Sequence, residues 1–291
     1  MQPNPSPKKE IYLSHSHTAQ QGEDLIIDSI IKKLPLSENY WCVEFGAWDG
    51  KHLSNTYYFI AEKNWHSVLI EGEKNRFLDL KHMHGNNPRC HLLNAYVDFK
   101  GKNTLDNLLA TTPIPNDFDV LSIDIDGNDY HVWESVVGYH PKLVVIEFNQ
   151  SIPNDINFIQ SPDLGVNQGN SLLALYELAE RKGYSLCATT LCNAFFIRTD
   201  LLSYLSVSPE AILHNYKVQA PRLFQLYDGT LVLSNPIDLI WRKHHIGIFD
   251  LQAIPKQGRG YGKPSKSKNK LVHTKQRVVR RLIRWLEGLL D

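Results

Sequence analysis

The stretch LSIDIDGNDY, residues 121–130, places three acidic side chains at the end of an apolar run. Asp124, Asp126 and Asp129 follow residues that have the pattern of a buried strand. A lone carboxylate is costly to bury, so acids at such a point need a partner. They could hold a metal ion, orient a ligand, or form a turn around Gly127. This motif alone leaves all three interpretations open.

Acidic residues accompany the other apolar runs as well. In chain order they are Glu44 in 41–47, Glu71 in 66–72, Asp98 after 90–96, Asp124 in 118–125 and Glu147 in 142–148. The carboxyl ends of parallel strands meet at one edge of a sheet, where ligands bind. An acid near the end of five predicted strands therefore indicates a functional edge.

A glycine-containing turn follows the first run. Glu44, Gly46 and Gly50 form an E-x-G-x-x-x-G pattern in VEFGAWDG. Glycines at such a turn let the backbone approach a ligand, or simply shape a tight connection between a strand and a helix. The pattern is neither GxGxxG nor a P-loop, so the sequence lacks the usual signatures for a pyrophosphate.

The apolar runs alternate with segments of helical periodicity, including 22–34 and 172–182. Strands that are apolar on both faces and alternate with helices indicate a parallel sheet covered on both sides. Two later runs, 184–190 and 194–199, predict a hairpin-like pair. The predicted class is α/β, a mostly parallel, doubly wound sheet with an antiparallel final strand.

Composition narrows the class of protein. A chain of 291 residues with 42% hydrophobic residues suits one large or two small globular domains. No run of 18 apolar residues is present, and the first residues lack the apolar core of a signal peptide. The four cysteines form no CxxC pair, so we expect reduced thiols and a cytoplasmic location.

Charge and loop composition predict the domain organisation. We expect a flexible segment 1–19, a main domain 20–255 and a basic tail 256–291, with a long lid loop over 149–170. The tail holds 11 basic and two acidic residues, and 271–290 has the pattern of a basic amphipathic helix. Such a helix can contact the inner membrane face, the acidic body or a protein partner; nucleic acid is the least favoured partner.

The order and spacing of these motifs resemble the FkbM-type S-adenosylmethionine (SAM)-dependent methyltransferases. The resemblance runs from about Gln20 to Gln252. It is carried by QQGEDLIID (20–28), VEFGAWDGKHLSNTYYF (43–59), WHSVLIEGE (65–73), NTLDNLL (103–109), VLSIDIDGND (120–129), LVVIEFN (143–149), GNSLLALYELAERKGYSL (169–186) and NAFFI (193–197). Two motifs depart from the family pattern: DIDGND replaces D-x-E-G, and EGE replaces E-P.

The resemblance implies a Rossmann-like class I methyltransferase fold that binds SAM over the first four strands. Carried over to this sequence, Glu44, Gly46 and Gly50 would flank the methionine part, Glu71 the ribose hydroxyls, Asp98 the adenine, and Asp124 the methyl group and acceptor. It further implies O-methylation of a sugar or glycan-like hydroxyl.

IDIDGNDY also resembles, more loosely, a motif of macrocin-type metal-dependent sugar O-methyltransferases. That likeness implies a Mg²⁺ site at Asp124, Asp126 and Glu147, whose oxygens are ligands that Mg²⁺ prefers. A metal-free enzyme would instead use Asp124 or His131 as general base. Two further hypotheses stay open: a non-catalytic binding module of this fold, and a metal-dependent nucleotide-sugar transferase.

Overall fold

The structure is a computed structural model of the chain. It describes residues 18–216, 222–234, 237–239, 244–247 and 251–252. Contacts divide the chain into two compact units, Met1–Val218 and Gln219–Asp291. The predicted flexible segment falls mostly, and the basic tail with its helix entirely, outside the described residues, so these remain predictions.

The first unit alternates strands with helices. The strands are β1 (Trp41–Phe45), β2 (His66–Glu71), β3 (Cys90–Asn94), β4 (Val120–Ile123), β5 (Leu143–Glu147), β6 (Tyr184–Thr189) and β7 (Asn193–Arg198). The helices are α1 (Glu23–Ile31), α2 (Tyr57–Ala61), α3 (Lys74–His84), α4 (Leu105–Leu109), α5 (Asp129–Ser135), α6 (Leu172–Lys182) and α7 (Pro209–Asn215). Two 3₁₀ turns lie at Gly101–Asn103 and Thr199–Tyr204.

These seven strands form one sheet in the order β3-β2-β1-β4-β5-β7-β6. Strands β1 to β5 are parallel, and β7 runs antiparallel to both β5 and β6. The chain winds outward from β1 to β3 and then returns to place β4 on the other side of β1. This topology confirms the predicted Rossmann-like class I methyltransferase fold with its antiparallel final strand.

Each face of the sheet has its own hydrophobic core. Val144 and Ile146 of β5 pack with α4, α5 and α6 on one face, whereas Leu143 and Val145 pack on the other, where α1, α2 and α3 lie. Side chains alternate between the two faces of a strand, and both faces of this sheet are covered. An inner strand therefore buries apolar side chains on both of its faces. The uninterrupted apolar runs in the sequence have this origin.

Element ends differ from the predictions in one place that matters. The fourth strand was expected over 118–125, but it ends at Ile123. Asp124 and Asp126 therefore share no strand face. Asp126 instead has a left-handed backbone with φ of 58°. The turn, not the strand, sets the direction of its side chain.

The four cysteines are free thiols, as expected, and three of them are buried. Within the described part of the second unit, β8 (Leu223–Gln225) pairs antiparallel with β9 (Leu231–Leu233). Likewise, β10 (Ile237–Leu239) pairs antiparallel with β11 (His244–Ile246). Among the described residues, no helix has the length and apolar character needed to span a membrane.

Candidate active site

The sheet order creates a crevice at the carboxyl edge. Because β1 lies between β2 and β4, the connections that leave β1 and β4 move to opposite sides of the sheet. Ligands of open α/β sheets bind at such a switch point. Gly46 follows β1, Glu71 ends β2, Asp124 follows β4 and Glu147 ends β5. The topology therefore brings these four predicted residues to one edge.

Glu44 lies inside β1 rather than at its end, and it is buried. Its carboxylate accepts hydrogen bonds from the Thr56 hydroxyl at 2.7 Å, the Asn55 backbone nitrogen at 2.9 Å and the Ser54 hydroxyl. Burial raises the pKa of Glu44, although these bonds oppose the shift. The bonds fix the loop from β1 to α2, so Glu44 shapes the wall of the crevice through that loop.

The two glycines of the turn have positive φ, 72° in each case. A Cβ on Gly46 would lie 2.3 Å from the Asp124 carbonyl oxygen, and one on Gly50 would lie 2.7 Å from the His84 ring. His84 also forms a hydrogen bond with the Gly50 carbonyl oxygen, 3.1 Å from Nε2. Close protein contacts thus account for both glycines, beyond the ligand approach expected from the sequence.

Glu71 joins the ends of β1 and β2. Its carboxylate is buried and accepts hydrogen bonds from the backbone nitrogens of Trp48 at 2.8 Å and Glu73 at 2.7 Å. Trp48 has a left-handed backbone with φ of 47°, and the Arg76 guanidinium lies 4.7 Å from its ring centroid. The remaining lone pairs of Glu71 are the ones that could meet a ligand hydroxyl.

Asp98 lies beyond the end of β3 and is half-buried. Its carboxylate accepts a hydrogen bond from the Phe99 nitrogen at 2.7 Å and a longer one from Lys100 at 3.3 Å. Its own nitrogen donates to the Asn103 carbonyl oxygen. Asp98 therefore forms a local turn, next to Phe99, whose ring packs 5.5 Å from that of His131.

Three carboxylates converge where β4 and β5 end. Asp124, Asp126 and Glu147 each offer an oxygen, and these oxygens lie within 4.8 Å of one another. The ion pairs among the described residues involve other carboxylates. An all-oxygen set with uncompensated negative charge fits a hard divalent cation such as Mg²⁺, or a positively charged ligand.

The same convergence shifts proton affinities. Surrounding protein atoms limit the hydration of the Asp124 carboxylate, and this partial desolvation raises its pKa. The nearby charges of Asp129 and Asp126 raise the pKa further. Asp124 nevertheless keeps contact with solvent. Burial also raises the pKa of Glu147, with Asp124 as the next cause. Asp124 and Glu147 therefore hold protons more tightly than isolated carboxylates do, and a bound cation would release these protons.

Asp129 acts differently from its two neighbours in the motif. It is buried at the start of α5 and accepts hydrogen bonds from the Ile125 nitrogen at 3.0 Å and the Gly127 nitrogen at 2.8 Å. These two nitrogens lie on either side of Asp126. Of the three acids in LSIDIDGNDY, Asp129 therefore builds the turn, while Asp124 and Asp126 remain available to a ligand.

His131 is held on its Nε2 side. That atom lies 2.8 Å from the Gln160 carbonyl oxygen, and the ring packs against Tyr130. Nδ1 is therefore the ring atom left to act as a base. Among the described residues no hydrogen bond joins His131 to Asp124, so the structure does not pair the two predicted bases.

Sequence reasoning did not identify Glu23 as part of this edge. Glu23 begins α1, is fully buried, and accepts hydrogen bonds from the Thr190 hydroxyl at 2.8 Å and the Asn193 side-chain nitrogen at 3.2 Å. Asn193 is the register partner of Glu147 across β5 and β7. In the sequence, Glu23 and Asp24 form an acidic pair at the start of a helix. Such a pair is also favoured by the helix dipole alone, so it does not by itself indicate a site.

Several known structures that resemble the chain are methyltransferases. The N-terminal domain of EvdMO1, crystallised in the presence of SAH (S-adenosylhomocysteine) and D-fucose, is 13% identical, with a TM-score of 0.41 over 61% of this chain and 82% of that one. The CurJ carbon methyltransferase is 10% identical, with a TM-score of 0.39 over 60% and 54%. NcsB1, an O-methyltransferase from neocarzinostatin biosynthesis crystallised with SAH and 1,4-dihydroxy-2-naphthoic acid, is 12% identical, with a TM-score of 0.35 over 61% and 57%. No protein-family model and no curated protein matches the sequence.

Proposed function

We propose that the chain is a SAM-dependent O-methyltransferase of the FkbM type, acting on a hydroxyl of a sugar or glycan-like acceptor. The observation that supports this most is the arrangement of one edge: the turn after β1, the buried Glu71 and the carboxylates after β4 and β5 face the same crevice. The O-methyl acceptor itself rests on the resemblance and on the polar loop 149–170.

The residues fit SAM in two respects. Uncompensated carboxylates suit a ligand that carries a sulfonium and an ammonium group, and the absence of a P-loop suits one without a pyrophosphate. Bound SAM supplies an electrophilic methyl group. We assign Glu71 to the ribose hydroxyls, Asp98 to the adenine side, and the loop held by Glu44 to the methionine side.

The acceptor chemistry falls to the β4 and β5 ends. The raised pKa of Asp124 makes its carboxylate a stronger base than an ordinary aspartate. Once deprotonated, this carboxylate can accept the proton that an acceptor hydroxyl releases on methylation. His131 is the second candidate base, through Nδ1. If Mg²⁺ is used, Asp124, Asp126 and Glu147 would hold it, and the ion would polarise the acceptor hydroxyl.

Calorimetric titration with SAH, with and without Mg²⁺, tests the proposal directly. We expect micromolar binding to the wild-type chain, because Glu71 and the glycine turn are in place. Asp126→Asn keeps a residue that tolerates the left-handed backbone but removes the charge, so it should lose Mg²⁺ and retain SAH. Asp117→Ala removes an exposed acid outside both the cluster and the segment 158–171, and it serves as the control. Failure of SAH to bind would refute the proposed function.

Two alternatives predict different ligands. A metal-dependent nucleotide-sugar transferase would use the same acids, and a nucleotide-diphosphate sugar with Mn²⁺ would then raise the melting temperature where SAH does not. A non-catalytic module would bind neither ligand. The glycine turn after β1 and the buried Glu71 beside it favour the methyltransferase.

We further propose cytoplasmic location with peripheral contact at the inner membrane face, or with a protein partner, through the basic tail 256–291. The support is charge: this tail carries 11 basic and two acidic residues. Co-sedimentation of the full chain with anionic and with neutral vesicles tests the membrane contact. Equal behaviour with both vesicle types would exclude it.

A further inference from the structure

We infer that Asn170 and Gln160 are positioning residues that hold the Asp126 turn in its active shape. The catalytic meaning of this inference rests on the proposed function, whereas its structural content does not. The two side chains lie in the segment 158–171, which follows β5 and precedes α6. Neither residue contributes to the crevice by charge, and both are almost completely buried.

Asn170 reaches the turn directly. Its side-chain nitrogen donates to the Gly127 carbonyl oxygen at 2.8 Å, and its side-chain oxygen accepts from the Gln160 backbone nitrogen at 3.1 Å. The Gly127 nitrogen is already bound by Asp129. Both polar backbone atoms of Gly127, the residue that follows Asp126, are therefore fixed by buried side chains.

Gln160 connects the Asp126 turn to His131, one of the two candidate bases. Its side-chain oxygen accepts hydrogen bonds from the backbone nitrogens of Gln168 at 2.8 Å and Gly169 at 2.9 Å, and its side-chain nitrogen donates to the Val166 carbonyl oxygen at 2.8 Å. These bonds close the loop that presents Asn170. The Gln160 carbonyl oxygen meanwhile meets His131, so one residue supports both the Asp126 turn and His131.

The turn needs such support because Asp126 has φ of 58°. This left-handed conformation is unfavourable for a residue with a Cβ and persists only where surrounding structure imposes it. Gly127 packs closely against the segment 158–171, because a Cβ at position 127 would lie 2.9 Å from the Val166 carbonyl oxygen. The segment 158–171 therefore packs as a wall against the turn, and the lid over 149–170 stays a prediction.

The test compares Asn170→Asp with Asn154→Ala. Aspartate at position 170 keeps the shape of the side chain and the acceptor for Gln160, but it cannot donate to Gly127. Asn154 belongs to the same loop and donates to the carbonyl oxygens of Leu213 and Tyr216, away from the turn. We expect hydrogen exchange at the Ile125 and Gly127 amides to become about tenfold faster in Asn170→Asp only.

A rescue variant separates positioning from general loosening of the fold. In Asn170→Asp, a second change, Asp126→Gly, gives a residue that adopts positive φ without cost and should restore slow exchange at Gly127. A merely structural role of Asn170 would leave the double variant as fast as the single one. Equal exchange in wild type and Asn170→Asp, or equal acceleration in Asn154→Ala, would overturn the inference.

SAH titration of the same variants keeps the two proposals distinct. We expect SAH affinity within about threefold of wild type in Asn170→Asp, because the cofactor side of the crevice is formed by β1 and β2. Loss of SAH binding in Asn170→Asp would show that the turn supports the whole crevice and would contradict a local role. If the wild type does not bind SAH, the proposed function fails, while the exchange result still decides whether Asn170 fixes the turn.

Discussion

Gly46 lies so close to Asp124 that a Cβ on the glycine would stand 2.3 Å from the Asp124 carbonyl oxygen. This contact joins the ends of β1 and β4 at the point where the sheet order reverses. Any side chain at position 46 would force the two strand ends apart. The contact therefore sets the width of the crevice that contains the proposed site.

Gly46→Ala should destabilise the fold by about 3 kcal/mol, because the clash with backbone adds to the cost of positive φ. Gly101→Ala is the matched control: its φ is 74°, yet nothing lies within 4 Å of the added Cβ. The control should lose only about 1 kcal/mol. Urea unfolding of both variants measures the difference, and equal losses would show that the close contact is unimportant.

Glu71→Gln should weaken SAH binding at least about tenfold. The carboxylate of Glu71 uses both oxygens to accept from the backbone nitrogens of Trp48 and Glu73, and it can still accept from a ribose hydroxyl. A glutamine has only one acceptor oxygen and cannot satisfy all three donors. Glu73→Gln is the control, since Glu73 also accepts two backbone hydrogen bonds at the start of α3. Calorimetry should find its SAH affinity nearly unchanged. Similar losses in both variants would remove Glu71 from the cofactor site.

Asp124→Asn should stabilise the metal-free protein at alkaline pH. The folded-state pKa of Asp124 is raised to about 8, so its contribution to stability is full below the unfolded-state pKa near 3.8 and is lost as pH rises through 8. Asparagine cannot ionise, so the advantage of the variant should grow from pH 5 to pH 9. Solvent contact screens the effect to about 1 kcal/mol.

The melting temperature in EDTA between pH 5 and pH 9 measures this advantage. Asp200→Asn should have the opposite sign, because its partner Arg198 lowers the pKa of Asp200. That contribution is present above the unfolded-state pKa and disappears with the charge. A flat difference between wild type and Asp124→Asn across the range would contradict the raised pKa of Asp124.

His84→Gln should reduce the acid sensitivity of the fold. Burial lowers the pKa of His84, so the unfolded chain binds a proton more readily, and the wild type loses stability as pH falls below about 6.5. Urea unfolding at pH 7.5 and pH 5.5 should show a smaller drop in the variant. His82→Gln, on the same helix and with no bond to Gly50, should retain the wild-type drop.

The strands were predictable because burial on both faces demands apolar residues at every position, and the sequence shows this directly in runs such as KLVVIEF. The acids at the edge were predictable for the same reason, since they interrupt those runs. The shape of the Asp126 turn was not predictable. It depends on Asn170, which lies 43 residues away from Gly127 in the chain and has no local pattern to mark it.

The roles of the glycines were equally hidden. The sequence indicates that Gly46 and Gly50 belong to a turn. The neighbours that exclude a Cβ are distant in the chain: Asp124 directly follows β4, and His84 ends α3. Local sequence specifies backbone freedom, whereas the reason for needing it lies in tertiary contacts. Asp129 shows the same limit: the motif left open whether this acid binds a ligand or forms a turn, and only its hydrogen bonds show that it forms the turn.

Through its hydrogen bonds, Glu23 connects α1 to Thr190 and Asn193 in the final hairpin of the sheet. These partners lie 167 and 170 positions later in the chain. These bonds therefore join the start of α1 to the turn between β6 and β7 and to the start of β7. During synthesis, Glu71 at the end of β2 and Asp124 just after β4 emerge well before Asn193 does. Under the proposed function, a SAH site that needs these bonds would form only after the last hairpin has docked, so SAH binding would report completed folding.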